Sequence, residues 1–213
     1  MLLNREIALN NLTEEQITQR INSDDIQTSH KGWMKDIDDF KPSEMFGTRQ
    51  AAVLVPLFRV AGTWKLLFTR RAQNLVDHSG QVAFPGGQLA ESDLILENAA
   101  KREAYEEIGL RPEDTRILGR LKEIHTITNY LVNPVVGIIP WPYEFVLSQN
   151  EVSRIFSIPL TWLANPKHFY ISVKDIPSDN TKIRTIIYQP YDNETLWGVS
   201  AKIVQDLLSN LLY

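Results

Sequence analysis

The chain has 213 residues, 43% of them hydrophobic and 23% charged, with a formal net charge of −4, a composition and length that allow a sizeable core without covalent staples. It has no cysteine and only four histidines, which excludes disulfides, zinc–thiolate centres and cysteine nucleophiles and leaves oxygen as the main donor for any bound metal. The acidic balance argues against a general nucleic-acid binder, and no run approaches the roughly 18 apolar residues of a membrane span.

Residues 1–45 read as a polar N-terminal extension with one short helix, roughly Glu14 to Asn22. Thr13 is its expected N-cap and Gln16 the capping-box partner. The first residues, MLLNREIALNNLTEEQ, lack the basic and apolar regions of a secretory leader, so a cytoplasmic protein is expected. Lys41-Pro42-Ser43 leads into the main domain, taken as residues 46–213. There Ala51–Phe58 and Trp64–Thr69 have strand length and flank the turn Ala61-Gly62-Thr63, a hairpin pattern. Gln81–Phe84 is short and extended and stops at the loop Pro85-Gly86-Gly87. The strongest helix spans roughly Leu94 to Ile108, with Ser92 or Asp93 expected at its start and Gly109 where a left-handed C-terminal cap belongs. Thr115–Glu123 and Leu131–Ile139 read as strands. Glu151–Phe156 and Leu160–Ala164 read as short helical pieces, His168–Val173 and Ile183–Gln189 as strands, and Val199–Leu212 as a closing helix. This order predicts a mixed α/β fold of the α+β type, without the regular alternation of a doubly wound parallel sheet.

The central helix carries Arg102-Glu103-Ala104-Tyr105-Glu106-Glu107. At about 100° per residue, Glu103, Glu106 and Glu107 fall on one helix face. Like charges at this spacing repel, and a hard divalent cation relieves the repulsion while bridging to phosphate oxygens. Between Gly86 and Leu110 lie six acidic and two basic residues, an excess equal to the net charge of the whole chain. A solvated acidic face is the competing explanation.

Gly87, Asp93 and the run Arg102-Glu103-Ala104-Tyr105-Glu106-Glu107-Ile108-Gly109-Leu110 resemble the Nudix box, G-x5-E-x7-R-E-U-x-E-E-x-G-U with U apolar. The second half matches throughout. In the first half Asp93 replaces the usual glutamate, and eight residues rather than seven separate it from Arg102. That spacing is similar to the coenzyme A pyrophosphatase branch, whose upstream signature resembles the stretch from Leu66-Leu67-Phe68-Thr69-Arg70-Arg71 through His78-Ser79-Gly80-Gln81 to Phe84-Pro85-Gly86-Gly87. Val76-Asp77 before the histidine departs from that signature. Weaker likenesses follow at Asn133-Pro134-Val135-Val136-Gly137, between Glu151 and Leu160, and at Trp197-Gly198-Val199-Ser200-Ala201.

The resemblance implies a Nudix fold, a mixed β-sheet sandwiched between helices, and hydrolysis of a diphosphate linkage with Mg²⁺ or Mn²⁺. It places Glu103, Glu106, Glu107 and the carbonyl of Gly86 at the metal, and Glu103 or Glu151 as the base. Asp93 either bridges to Arg102 or caps the helix. Arg70, Arg71, His78 and Gln81 are the substrate-side candidates, since guanidinium groups bind phosphate bidentately. Trp197 stacks on adenine or belongs to the core. A small nucleotide such as coenzyme A is the expected partner, without nucleic acid or membrane, for a monomer or homodimer. The alternatives are another nucleoside diphosphate derivative (ADP-ribose, NADH, a dinucleoside polyphosphate) and a non-catalytic nucleotide-binding module.

Overall fold

The computed structural model describes residues 2–23, 47–74, 79–175 and 182–212. Its helices are α1 (Leu2–Asn10), α2 (Glu14–Ile21), α3 (Leu96–Ile108), α4 (Leu160–Leu163) and α5 (Gly198–Leu212). The strands are β1 (Arg49–Val60), β2 (Thr63–Arg71), β3 (Val82–Ala83), β4 (Gly86–Gln88), β5 (Arg116–Arg120), β6 (Ile124–His125), β7 (Tyr130–Ile138), β8 (Val152–Pro159), β9 (Phe169–Asp175) and β10 (Lys182–Tyr188). Among the described residues, eight strands form one mixed sheet along the order β3-β2-β1-β7-β5, with β4 on β1, β6 on β7 and β8 on β2; β9 and β10 form a separate ribbon. No helix among the described residues is long and apolar enough to cross a membrane.

β1 is apolar almost throughout because both of its faces are covered. Val55 and Leu57 point into a core shared with α1, α2, α4 and α5, while Ala52, Leu54 and Phe58 point the other way, against Ala99, Ala100, Ala104 and Ile108 of α3. The sheet is thus sandwiched as expected. The small residues of α3 allow close approach to β1, which fixes the acidic face of that helix beside the sheet.

Among its described residues the N-terminal stretch holds two helices rather than the expected one. α2 has the predicted Thr13 capping box, while α1 shows too little polar/apolar periodicity to be read from sequence. Leu9, Leu12, Ile17 and Ile21 lie in the same core as Phe68 and Leu207, so the described part of the extension shares the main core. Lys41-Pro42-Ser43 lies outside the described residues.

Three other expectations are corrected. Pro85-Gly86-Gly87 is not all loop: Gly86–Gln88 is the strand β4, paired antiparallel with β1. Glu151–Phe156 is not helical: Val152–Pro159 is the strand β8, paired antiparallel with β2. Its apolar residues mimic helical spacing because the register shifts by one residue at Arg70/Arg71. That shift leaves Val152 and Ile155, three apart, in the same core layer. The α3 helix begins at Leu96 with Ile95 at the N-cap and no side-chain cap, so neither Ser92 nor Asp93 caps it. Gly109 does end it in the left-handed conformation, with φ +70°.

Replacing Ile17, which is fully buried, with alanine should destabilise the whole protein by about 2–5 kcal/mol, the range for a deleted core side chain. Urea unfolding followed by tryptophan fluorescence measures this; a loss under about 1 kcal/mol would mean the N-terminal helices are only loosely docked.

Candidate active site

The site is built where β2 leaves β1. The two strands pair only from Leu57↔Leu66 to Val60↔Thr63. Beyond that, β4 takes the place of β2, with Ala51↔Gln88, Ala52↔Gly87 and Val53↔Gly86, and the Leu54 N–H donates to the Pro85 carbonyl at 2.8 Å. The substitution needs two glycines. A Cβ on Gly86 would lie 2.5 Å from the Ala52 carbonyl oxygen, and one on Gly87 would lie 2.5 Å from the Glu103 carboxylate. The Pro85-Gly86-Gly87 segment therefore lets the backbone lie directly against β1 on one side and a carboxylate of α3 on the other.

Glu107 is 4% exposed, and its Oε2 is buried without a hydrogen-bond partner. Burial is the main reason its carboxyl is pushed up to about 8. The charges of Glu103 and Glu151 add to the rise, while Arg71 and a backbone hydrogen bond from Gly86 oppose it. Glu103 is also raised, first by burial, against the pull of Arg102. Glu106 is half exposed.

Arg102 ties the carboxylates together. It donates to Asp93 Oδ2 at 2.8 Å, to Glu103 Oε1 at 2.8 Å, to Glu106 Oε2 at 3.0 Å and to the Gln88 carbonyl at 3.1 Å. Asp93 also accepts from the Ala90 N–H at 2.9 Å, and Arg102 holds its carboxyl below the usual range. Of the two readings of Asp93, the bridge to Arg102 is the one observed.

Among the described residues, no three His, Asp or Glu side chains form a ready-made cation cage; Glu103 and Glu106 both reach to Arg102. The donor chemistry nevertheless fits a hard cation. The available ligands are all oxygens, Glu107 keeps a buried oxygen unpartnered, and the missing Cβ of Gly87 leaves the Glu103 carboxylate room at the β4 backbone.

The substrate-side candidates separate. Arg71 lies on the Glu107 side and acts on its charge, its buried Nε having no hydrogen-bond partner. Arg70 instead meets Glu194 at 3.3 Å, where Arg154 also donates to the same oxygen at 3.1 Å. The Gln81 carbonyl accepts from the Arg71 N–H at 2.9 Å, which places the start of the β3 segment beside that arginine. His78 lies outside the described residues. Glu151 sits at the turn into β8, where its carbonyl accepts from the Ala72 N–H at 2.8 Å. Trp197 is 41% exposed and bridges to Ile187; it is not a core residue. Glu194, 5% exposed, was not legible in the sequence, because an acid in a turn carries no pattern that reports its burial.

The state of Glu107 has a consequence for stability. Its folded value of about 8 lies above the ordinary 4.5, so between those values the folded chain binds more protons than the unfolded one. Without divalent cations, stability should therefore be greatest at the acid end of this window and fall as pH rises through about 8. Glu107→Gln should flatten that slope in melting temperatures measured with a chelator present. An unchanged slope would place the titration elsewhere.

A sequence profile of the NUDIX domain matches residues 48–171. The chain is 37% identical over 164 residues to an uncharacterized Nudix hydrolase, NudL, of Citrobacter koseri, covering 77% of this chain and 83% of that one. A NudL protein of Klebsiella pneumoniae is 38% identical over 159 residues, covering 75% and 81%. In structure, the chain is similar to a MutT/nudix family protein from Enterococcus faecalis, with a TM-score of 0.51 and 13% identity over 93% of this chain and 73% of that one. Together with the glutamate helix, its arginine and the paired glycines, these likenesses establish that the chain belongs to the Nudix hydrolase family.

Proposed function

We propose that this Nudix hydrolase cleaves the diphosphate of coenzyme A or a derivative, releasing 3′,5′-ADP and 4′-phosphopantetheine, with Mg²⁺ or Mn²⁺ as cofactor. The observation that supports a diphosphate site most directly is the buried, unpartnered oxygen of Glu107, set among Glu103, Glu151 and Arg71. A carboxylate in that setting is unfavourable without a cation. A bound divalent cation supplies charge neutralisation for both phosphoryl groups and lowers the pKa of its water. Glu103, Glu106, Glu107 and the Gly86 carbonyl are the groups proposed to hold it.

The remaining steps belong to the side chains. Arg71 neutralises one phosphoryl group from the β2 side. Glu151 takes the proton from the attacking water, since Glu103 is already held by Arg102. Water adds to one phosphorus, the bridging P–O bond breaks, and both products leave as phosphate monoesters. Coenzyme A is favoured over other nucleotides by the Leu66–Gly87 signature. Two parts of that signature, Arg71 and the Gly86-Gly87 pair, lie against the glutamate helix.

A panel of coenzyme A, ADP-ribose, NADH and dinucleoside polyphosphates with Mg²⁺ or Mn²⁺, resolved by chromatography, tests the reading. Coenzyme A should be the best substrate and give 3′,5′-ADP; a clear preference for ADP-ribose would overturn the substrate assignment. Glu107→Gln should lower kcat by about 100-fold or more, because several kcal/mol of charge stabilisation are lost at about 1.4 kcal/mol per decade. Glu151→Gln should lower kcat by about 100- to 10,000-fold without weakening Mn²⁺ binding measured by titration. Full activity of Glu151→Gln, with loss confined to Glu103→Gln, would move the base to Glu103.

A further inference from the structure

β2 and β8 pair in register from Lys65↔Pro159 to Arg70↔Arg154, and the next pair is Arg71↔Val152. Ser153 is therefore an extra residue on β8, a bulge of the kind that turns a side chain to a new direction. Its hydroxyl donates to the Arg70 carbonyl at 3.1 Å and lies 3.4 Å from the Arg71 carbonyl, so one side chain reaches the carbonyls on both sides of the Arg71 Cα. Continued alternation would place Ser153 opposite Arg71. The bulge instead puts Val152, 1% exposed, beneath α3 and leaves Ser153 facing solvent.

The strand face opposite α3 is also fixed at this step. Arg70 and Arg154, which are cross-strand partners, both donate to the buried Glu194, and Arg154 also pairs with Asp192. Arg70 is thereby pinned on one face, and Arg71 is directed to the other, toward Glu107. Immediately beyond, the Ala72–Glu151 backbone bond continues the strand pair, so the bulge sets Arg71 and Glu151 at one end of β2 and β8.

We propose that Ser153 is a positioning residue: by bridging the Arg70 and Arg71 carbonyls it locks the β2–β8 bulge that aims Arg71 at the substrate diphosphate. This rests on the reading of Arg71 as a phosphate-binding group. Ser153 touches neither substrate nor cation; it acts through the direction of its neighbour.

The test is a double-mutant cycle with Ser153→Ala, Ser153→Thr, Arg71→Ala and the Ser153→Ala/Arg71→Ala pair, assayed on the best substrate of the nucleotide panel. Ser153→Ala should raise KM about five- to tenfold, the size expected for one hydrogen bond, with kcat within about twofold. Ser153→Thr, which keeps the hydroxyl, should restore KM. In the Arg71→Ala background, Ser153→Ala should add nothing further. An equal KM rise in both backgrounds, or an unchanged KM in Ser153→Ala while Arg71→Ala raises it, would overturn the positioning role alone. If Arg71→Ala leaves KM unchanged, the phosphate-binding role of Arg71 falls first and the proposal with it.

Discussion

A carboxylate held out of water without a full set of hydrogen bonds is the constraint around which this molecule is arranged. Glu107 lies under β4, its charge resisted by burial and by two neighbouring glutamates. Keeping it there requires close-packed backbone above it, which explains the paired glycines: side chains at Gly86 or Gly87 would collide with β1 or with Glu103. It also requires an anchor for the neighbouring acids, and Arg102 supplies one by joining Asp93, Glu103, Glu106 and the Gln88 carbonyl. Such a network, formed by one guanidinium, holds the loop and the helix in a single geometry.

The sheet makes this arrangement possible by changing partners midway. β1 is bonded in parallel to β7 along nearly its whole length, while its other edge passes from β2 to β4. The departing end of β2 is not left open, because β3 and β8 take it up. Each strand end that borders the glutamates is therefore supported by ordinary backbone pairing. The side chains proposed to act sit on α3, on β2 and at the turn into β8, beside paired strands, as precise placement demands.

Much of this was legible in the residues. The i, i+3, i+4 glutamates and Gly109 located the helix and its end, because each obeys a local rule of geometry, whereas the loop expected at Pro85-Gly86-Gly87 gives way to the strand β4 through its pairing with β1. The Thr13–Gln16 capping box marked α2 for the same reason. What escaped depended on distant contacts. β8 looked helical because its bulge spaces Val152 and Ile155 as a helix would, and its true state is set by pairing with β2. The start of α3 was misplaced because Asp93 spends its carboxylate on Arg102, nine residues away, instead of on a cap. Arg70 and Arg71 are adjacent in sequence and looked equivalent, yet one meets Glu194 and the other acts on Glu107; only the fold assigns their faces.

Apart from α4, the second helical layer comes from outside the stretch that the family profile matches. α1 and α2 precede residue 48 and α5 follows residue 171, and the three pack into one core. Arg20 of α2 donates to the Leu211 carbonyl of α5, and Asn22 donates to the Leu118 carbonyl at 2.8 Å. The two ends of the polypeptide are thus stitched to each other across the back of the sheet, opposite the helix that carries the glutamates. Trimming the chain to its family-matched segment would leave only α4 on that face and uncover much of the apolar side of β1 and β2. Loss of α1, α2 or α5 would therefore remove packing from the layer that does not carry the glutamates, so folding strength and the candidate site reside on opposite faces of the sheet.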